Sequence, residues 1–215
     1  MTETRLERKE RTRRAILDAA LGLTRESSLV ALSLRQVAKE VGIVPTAFYR
    51  HFDSIEALGL ALVDESFASL RALLRDVRRA SEVDRSAAED LVDQLVDRSV
   101  DVLVDHVRRQ RDHFAFIARE RVAGPTSVRD AIRHELELCE RELATDLARL
   151  PGTAAWSVDD LRVLAALFVS TMVTTAESML AAGRAEAERQ IIATVRTQLR
   201  MVVVGVAHWP SGAAV

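Results

Sequence analysis

Four side chains within residues 46–51 have the chemistry needed to read a nucleic acid. Thr46 and Ala47 each offer a methyl group that can contact thymine, and Thr46 adds a hydroxyl for a base edge. Tyr49 and His51 follow, and their polar groups are suited to phosphate oxygens. Phosphate contacts fix the register on a duplex without reading its sequence. The stretch therefore combines the two kinds of contact that duplex recognition uses.

The residues before this stretch predict a first short helix. Ser33 and Gln36 have the spacing of a capping box, in which each side chain bonds to the other's backbone at a helix start. Gly42 stands where that helix would stop, because glycine adopts the left-handed conformation that often ends helices. We therefore expect a helix from about residue 33 to residue 41.

A second short helix is expected from Pro45 to about His51. Proline suits the first helical position because its missing N–H would have no partner there. Ile43 and Val44 are expected to anchor the turn between the two helices. Two helices so closely spaced form a helix-turn-helix, in which the second lies in the major groove and the first crosses the backbone.

The second helix divides by face. Phe48 and Phe52 are four residues apart and are expected to face the core, while Ala47, Arg50 and His51 lie elsewhere round the cylinder. An apolar run at this spacing is also compatible with simple core packing, so the flanking sequence has to decide.

The chain has a basic beginning, at Arg5, Arg8, Lys9, Arg11, Arg13 and Arg14. We expect these residues to form an arm upstream of an amphipathic helix over residues 12–25. Residues 1–52 contain ten Lys or Arg against six Asp or Glu, although the whole chain has a net charge of -2. A basic end on an acidic chain is typical of nucleic-acid binding. The alternative is a solvated helix start in which Glu7 and Glu10 pair locally.

Residues 31–66, ALSLRQVAKEVGIVPTAFYRHFDSIEALGLALVDES, resemble the DNA-binding segment of the TetR family of one-component repressors. The resemblance implies an all-α fold, with a three-helix helix-turn-helix DNA-binding domain over residues 1–53. It implies an antiparallel helical bundle for ligand binding and dimerisation over residues 54–215. The predicted DNA-binding residues are Arg13, Arg14, Ser33, Arg35, Gln36, Pro45, Thr46, Ala47, Tyr49, Arg50 and His51.

One position departs from the family pattern. Many members carry a lysine just after the last phenylalanine of this segment, where it holds a phosphate, whereas this chain has Asp53-Ser54-Ile55-Glu56. Asp53 with Glu56 is expected to cap the fourth helix instead.

Within the family, the chain is most similar to fatty-acid repressors of the FabR and DesT kind. The shared features are residues 33–52, residues 57–66 and the triplet Arg119-Glu120-Arg121. This resemblance implies a long-chain acyl effector, either a fatty acid or an acyl-CoA. The alternative is a regulator of efflux, alkane or drug metabolism that senses another hydrophobic molecule.

Composition agrees with a helical regulator and indicates no catalytic chemistry. The 215 residues contain only eight Gly and four Pro, so few residues are available to punctuate strands. With no run of eighteen apolar residues and a charged start, we expect a cytoplasmic protein without a membrane span. No nucleophile elbow, P-loop, zincin or dinucleotide motif is present, so we expect no enzyme, no cofactor and no metal site. The single cysteine, Cys139, is expected to be a small core residue, with a redox sensor as the alternative.

The last two helices are expected to form a homodimer. The eighth helix has apolar or small residues on more than one face, and two such neighbours can pair with their twofold mates as a four-helix interface. A dimer also suits a double-stranded palindromic operator, which presents two half-sites. The alternative is an eighth helix that is internal in a monomer.

A hydrophobic effector is expected inside the bundle. Sites between bundle helices are mostly apolar with a few convergent polar groups. The predicted ligand-binding residues are Phe67, Leu70, Val100, Leu103, Phe114, Phe116, Ile117, Arg119, Arg121, Leu136, Phe168, Met172, Thr175 and Met179. The two arginines would hold the polar end of an acyl ligand, or would instead form surface salt bridges. The fourth helix is expected to couple the two domains. The rival outside this class is a helical protein-interaction module without a DNA target.

Overall fold

The computed structural model describes residues 4–82, 91–149, 156–206 and 208–211. Regular structure in these ranges is entirely helical, which confirms the all-α prediction. The elements are α1 (Arg5–Leu23), a 3-10 turn η1 (Leu29–Ala31), α2 (Leu34–Val41), α3 (Pro45–Phe48), α4 (Ile55–Glu82), α5 (Leu91–Arg109), α6 (Arg111–Ala123), α7 (Thr126–Leu147), α8 (Val158–Ala181) and α9 (Ala185–Val206).

The first helix begins earlier than expected. The Thr4 hydroxyl accepts from the Glu7 N–H at 3.2 Å, and the Glu7 carboxylate accepts from the Thr4 N–H at 2.7 Å. This capping box begins α1 at Arg5, because it satisfies backbone groups that have no partner within the helix. The basic residues thus lie in the first turns of α1, and the expectation that they precede the helix was wrong.

Contacts divide the chain into two compact units. The N-terminal unit comprises residues up to 68 together with 112–133, and the C-terminal unit comprises 69–111 and the residues from 134 onward. The N-terminal unit thus contains most of α6 and the start of α7 in addition to α1, α2 and α3. The functional boundary expected after residue 53 stays a prediction.

The core of the N-terminal unit requires a close approach by α4. A Cβ atom on Gly59 would lie 2.6 Å from Leu29 Cδ1 and 2.9 Å from Val128 Cγ2. Glycine at this position therefore lets α4 pack against both η1 and α7. The buried side chains of this unit include Ile16, Ala20, Leu29, Val37, Phe48, Leu58, Leu62, Phe67, Phe116, Val128 and Ile132.

In the C-terminal unit, α5, α8 and α9 contact one another. The Ser157 hydroxyl accepts from the Asp160 N–H at 3.0 Å and so caps the start of α8. On α9, Arg200 forms an ion pair with Asp97 of α5 at 2.9 Å. Val100 of α5 and Leu199 of α9 are both buried, and the two helices contact each other.

Helix α8 is unusually apolar. Its length and a window of mean hydropathy 1.6 would suffice to cross a membrane, although 28% of that window is buried within the unit. The core helix of a soluble protein meets the same criteria. Among its apolar side chains, α8 leaves Val158, Val163 and Leu167 exposed.

Candidate nucleic-acid interface

The capping box at the start of α2 forms as predicted. The Ser33 hydroxyl accepts from the Gln36 N–H at 3.2 Å, and the Gln36 side-chain oxygen accepts from the Ser33 N–H at 2.8 Å. Gly42 ends the helix with φ 73° and ψ 30°, the left-handed conformation that glycine adopts without a steric penalty. The Ile43 N–H then bonds back to the Ala38 carbonyl at 2.9 Å, which closes the turn.

Helix α3 is shorter than expected. It spans Pro45–Phe48, with proline in its first turn as predicted, and the chain continues as a hydrogen-bonded turn up to residue 51. There the His51 N–H donates to the Phe48 carbonyl at 2.8 Å. The recognition element is therefore a single helical turn followed by a tighter one.

Two phenylalanines and an arginine anchor this element. Phe48 is fully buried and Phe52 nearly so, with ring centroids 5.9 Å apart. The Arg13 guanidinium lies 4.4 Å from the centroid of the Phe52 ring, a cation–π distance, and also donates to the His51 carbonyl at 3.3 Å. Arg13 thereby fixes the end of the recognition element from α1, and its DNA role stays a prediction.

Most of the predicted contact residues on α2 and α3 are exposed. Tyr49 is 57% exposed, and Ala47 is half-buried against the domain. We call the exposed set the reading surface, which consists of Ser33, Arg35, Gln36, Pro45, Thr46, Tyr49 and Arg50. Short or mobile polar side chains at the start of a helix can approach base edges and phosphates.

Val44 does not anchor the turn, contrary to the prediction. Its side chain is 64% exposed at the N-cap of α3, whereas Ile43 is half-buried. No side chain caps α3, because valine carries no hydrogen-bonding group. An exposed apolar side chain therefore stands immediately before Pro45 and Thr46 of the reading surface. The sequence carried this signal, since valine at an N-cap contributes nothing to the helix.

His51 is placed differently from its neighbours. It is half-buried, and among the described residues its Nδ1 atom is buried without a hydrogen-bond partner. Burial, followed by the charges of Lys9 and Arg13, lowers the pKa of His51. These effects favour the neutral imidazole in the free protein, and a phosphate contact would act in the opposite direction and raise this pKa.

Arg14 is engaged within the N-terminal unit. Its guanidinium lies 2.6 Å from a Glu65 oxygen and 2.9 Å from an Asp18 oxygen, and these carboxylates raise the pKa of Arg14. Both partners are acidic side chains that a phosphate would have to replace. The predicted DNA contact of Arg14 stays a prediction.

The cap of α4 was assigned to the wrong residue. The Ser54 hydroxyl accepts from the Ala57 N–H at 3.0 Å, and the Ser54 carbonyl accepts from the Leu58 N–H at 3.1 Å. Ser54 therefore begins the helix, and Asp53 is exposed beside it. Serine and aspartate are equally good caps, which is why the sequence did not distinguish them.

The predicted ligand residues fall in both units. Phe67, Phe114, Phe116, Ile117, Arg119 and Arg121 belong to the N-terminal unit, and Leu70, Val100, Leu103, Leu136, Phe168, Met172, Thr175 and Met179 belong to the C-terminal unit. Arg119 donates to the Arg25 carbonyl at 2.7 Å. The Thr175 hydroxyl donates to the Thr171 carbonyl at 2.7 Å, so its hydrogen is used within the helix. The ligand set stays a prediction.

Metal and thiol chemistry find no support in the ranges that the structure describes. No group of three or more His, Cys, Asp or Glu in these ranges is placed to hold a metal ion. Cys139 is buried, and burial followed by the charges of Glu142 and Glu135 raises the pKa of its thiol to about 11. A thiol protonated at neutral pH is a poor nucleophile, which argues against the redox-sensor alternative.

Comparison with known proteins agrees with this geometry. Residues 16–62 match the sequence model of the bacterial regulatory proteins of the tetR family, and the match covers the end of α1, all of α2 and α3, and the start of α4. This segment of the chain is therefore similar to the DNA-binding region of that family. Proteins of this family bind operator DNA and small-molecule effectors and are typically not enzymes.

Solved structures of transcriptional regulators share the fold over almost the whole chain. One from Aquifex aeolicus has a TM-score of 0.64 at 15% identity, covering 89% of this chain and 99% of that one. One from Rhodococcus sp. has a TM-score of 0.62 at 20% identity, with 94% and 99% covered. The fatty acid degradation regulator FadR from Bacillus halodurans has a TM-score of 0.68 at 14% identity, with 93% and 96% covered. At these identities the likeness is one of fold.

Proposed function

We propose that this protein is a TetR-family repressor that binds a palindromic operator as a homodimer and is controlled by a hydrophobic ligand. The observation that carries the proposal is the recognition element itself. Buried Phe48 and Phe52 fix this element to the domain, while its residues Thr46 and Tyr49 remain exposed. A helix held this firmly with a polar exposed start is suited to the major groove.

The exposed apolar side chains of α8 and α9 support the homodimer. Val163 and Leu167 on α8 are 70% and 44% exposed, and Met201 and Val204 on α9 are 69% and 65% exposed. Apolar residues on two neighbouring helices of one unit provide the surface that a four-helix interface buries. A twofold axis through these helices would present two reading surfaces to one duplex. Operator half-sites about 34–36 Å apart would then be expected.

We propose a long-chain acyl molecule as the effector. This choice rests on the sequence resemblance to FabR- and DesT-type repressors. The Bacillus halodurans protein of the same fold is a fatty acid degradation regulator, and that likeness is one of fold only. A different hydrophobic molecule, from efflux or drug metabolism, is the alternative. To move the operator from mostly bound to mostly free, a ligand must favour one state by about 5.5 kcal/mol.

Native mass spectrometry of protein purified without delipidation tests operator binding, the homodimer and the acyl effector together. The protein would be examined alone and with a duplex copied from its own upstream region. A dimer that carries a fatty acid or acyl thioester and loads onto the duplex is the expected result. A dimer that binds the duplex with nothing bound would contradict the acyl ligand alone. Failure to bind any duplex, with no salt-dependent binding to random DNA, would favour an interaction module.

Two substitutions separate affinity from specificity on the reading surface. Tyr49→Phe removes an exposed hydroxyl assigned to phosphate, so binding to operator and random duplex should weaken equally, by about 0.5–1.5 kcal/mol. Thr46→Ala removes a group assigned to a base edge, so discrimination at particular base pairs should fall by about 1–3 kcal/mol. Competition binding against single-base operator variants measures both. Equal loss on operator and random DNA for Thr46→Ala would exclude its base-reading role.

Val44 is expected to contact a thymine methyl group. Its exposed isopropyl group precedes Thr46 at the start of α3, where apolar side chains can meet the major-groove edge of thymine. Val44→Ala should weaken operator binding by about 1 kcal/mol, the range of a lost methyl contact. Replacing the contacted thymine by deoxyuridine should weaken wild-type binding similarly and leave the variant unaffected. A variant that stays sensitive to each deoxyuridine in the half-site would contradict this contact.

A further inference from the structure

Glu120, near the end of α6, is a completely buried carboxyl group. Its exposed fraction is 0%, whereas its neighbours Arg119 and Arg121 keep contact with solvent. Burying a carboxyl group costs free energy unless its oxygens are hydrogen bonded. The position of its partners therefore shows why this residue is tolerated inside the N-terminal unit.

Both oxygens of Glu120 face the segment that leads into α2. Oε1 accepts from the Leu29 N–H at 3.1 Å, and Oε2 lies 3.0 Å from the Ser28 hydroxyl. The same hydroxyl lies 3.1 Å from the carbonyl of Ala123 at the end of α6. The Ser28 hydroxyl thus contacts α6 at two points, the Glu120 side chain and the Ala123 backbone carbonyl.

Glu120 Oε2, the Ser28 hydroxyl and the Ala123 carbonyl can all be paired at once if the Glu120 carboxyl group is neutral. A serine hydroxyl has one hydrogen, so an ionised Glu120 would have to compete with Ala123 for it. A protonated Oε2 instead donates to the Ser28 oxygen, and Ser28 donates to the Ala123 carbonyl. Burial raises the pKa of Glu120, and the hydrogen bonds from Leu29 and Ser28 and the charge of Arg119 oppose it only in part.

A glycine completes the site on the other side. A Cβ atom on Gly124 would lie 2.8 Å from Oε2 of Glu120 and 2.5 Å from the Glu120 carbonyl oxygen. The end of α6 is therefore folded tightly over the carboxyl group, which leaves it little freedom to turn away from Leu29.

A short rigid path joins this carboxyl group to the reading surface. Ser28 and Leu29 open η1, where Ala31 N–H donates to the Ser28 carbonyl at 2.9 Å and Leu32 N–H to the Leu29 carbonyl at 3.1 Å. The next residue is Ser33, the cap of α2. A single hydrogen-bonded turn thus connects residues 28 and 29 to the start of α2.

We infer that Glu120 is a positioning residue that acts as a neutral carboxylic acid, holding residues 28 and 29 so that α2 lies correctly for DNA. The inference rests on the proposed function in DNA binding. Arg25 and Asp112 form a two-point ion pair at the other end of the same contact, with Arg25 Nε 2.7 Å from an Asp112 oxygen. Helix α6 therefore holds the segment before α2 at both ends.

Two substitutions distinguish the hydrogen bonds from the charge. Glu120→Gln keeps the shape, an acceptor for Leu29 and a donor for Ser28, so its operator affinity should stay within about twofold of wild type. Glu120→Ala leaves the Leu29 N–H without its partner, so operator affinity should fall about tenfold while random-duplex affinity changes little. Glu137→Ala, at an exposed glutamate of α7, is the matched control and should change neither affinity.

The full-length protein would be titrated with an operator selected from a random library and with random duplex, with the active fraction counted at saturation. Loss of folded protein alone would lower the active fraction and leave the ratio of the two affinities unchanged. Equal losses of operator affinity in Glu120→Gln and Glu120→Ala would contradict the inference that Glu120 acts as a neutral carboxylic acid. If both variants keep the wild-type ratio of operator affinity to random-duplex affinity, Glu120 does not position α2 for DNA.

The remaining outcomes are also decisive. If Glu120→Ala does not fold, Ser28→Ala removes the partner hydroxyl from the opposite side and should lower the same affinity ratio. An unchanged ratio in Ser28→Ala would then overturn the inference. A wild-type protein that prefers no operator over random duplex would overturn the proposed function, and this is seen before any variant is compared.

Discussion

Replacing Leu167 on α8 by glutamate should produce a folded monomer that has lost most of its operator affinity. Leu167 is 44% exposed and lies among other exposed apolar residues of α8, where the proposed dimer would cover it. A charge buried in an apolar interface without a partner strongly opposes association. Two linked reading surfaces bind about 10²–10⁴ times more tightly than one, so operator affinity should fall by about a hundredfold or more.

Sedimentation and operator titration of the same preparation check this expectation. Val122→Glu is the matched control, because Val122 is 72% exposed on α6 and carries the same change in charge away from α8 and α9. The control should remain dimeric and bind normally. A Leu167→Glu protein that stays dimeric with full operator affinity would show that the interface lies elsewhere.

The sequence predicted those parts of the fold that short-range chemistry determines. Ser33 with Gln36, Gly42 and Pro45 specify helix ends through hydrogen bonds or backbone conformations within four residues of themselves. Each formed as expected, and so did the all-helical architecture. A helix boundary was predicted wrongly where a capping signal and the apolar pattern indicate different starts. The capping box of Thr4 with Glu7 begins α1 earlier than the apolar pattern indicated.

The parts that depend on distant residues could not be predicted. Glu120 is polar and stands between two arginines, so the sequence favours a surface salt bridge, yet it is buried because Leu29 and Ser28 supply its partners from about ninety residues away. The same limit applies to the ligand set, since Phe116 or Met179 fills a core as readily as it lines a pocket.

Replacing Gly124 by alanine should be among the most destabilising single-methyl changes in this chain. The added Cβ would lie 2.5 Å from the Glu120 carbonyl oxygen and 3.2 Å from the Glu120 Cα. Both are backbone atoms of α6, which cannot rotate away as a side chain can. The Gly124 N–H also donates to that carbonyl at 3.0 Å, so relief of the clash would strain this bond. We expect a loss of about 2–3 kcal/mol in the free energy of unfolding.

Gly22→Ala is the matched control, because its Cβ would meet nothing within 4 Å on α1. Alanine is favoured over glycine within a helix, so that variant should gain up to about 1 kcal/mol. Thermal unfolding should therefore shift in opposite directions, with Gly124→Ala lower by about 4–12 °C. Since Gly124 also encloses the Glu120 carboxyl group, its variant should discriminate operator from random duplex less well, whereas Gly22→Ala should not. An unchanged melting temperature for Gly124→Ala would mean that the end of α6 can move aside at little cost, and Glu120 could not then be held as firmly as its hydrogen bonds to Ser28 and Leu29 require.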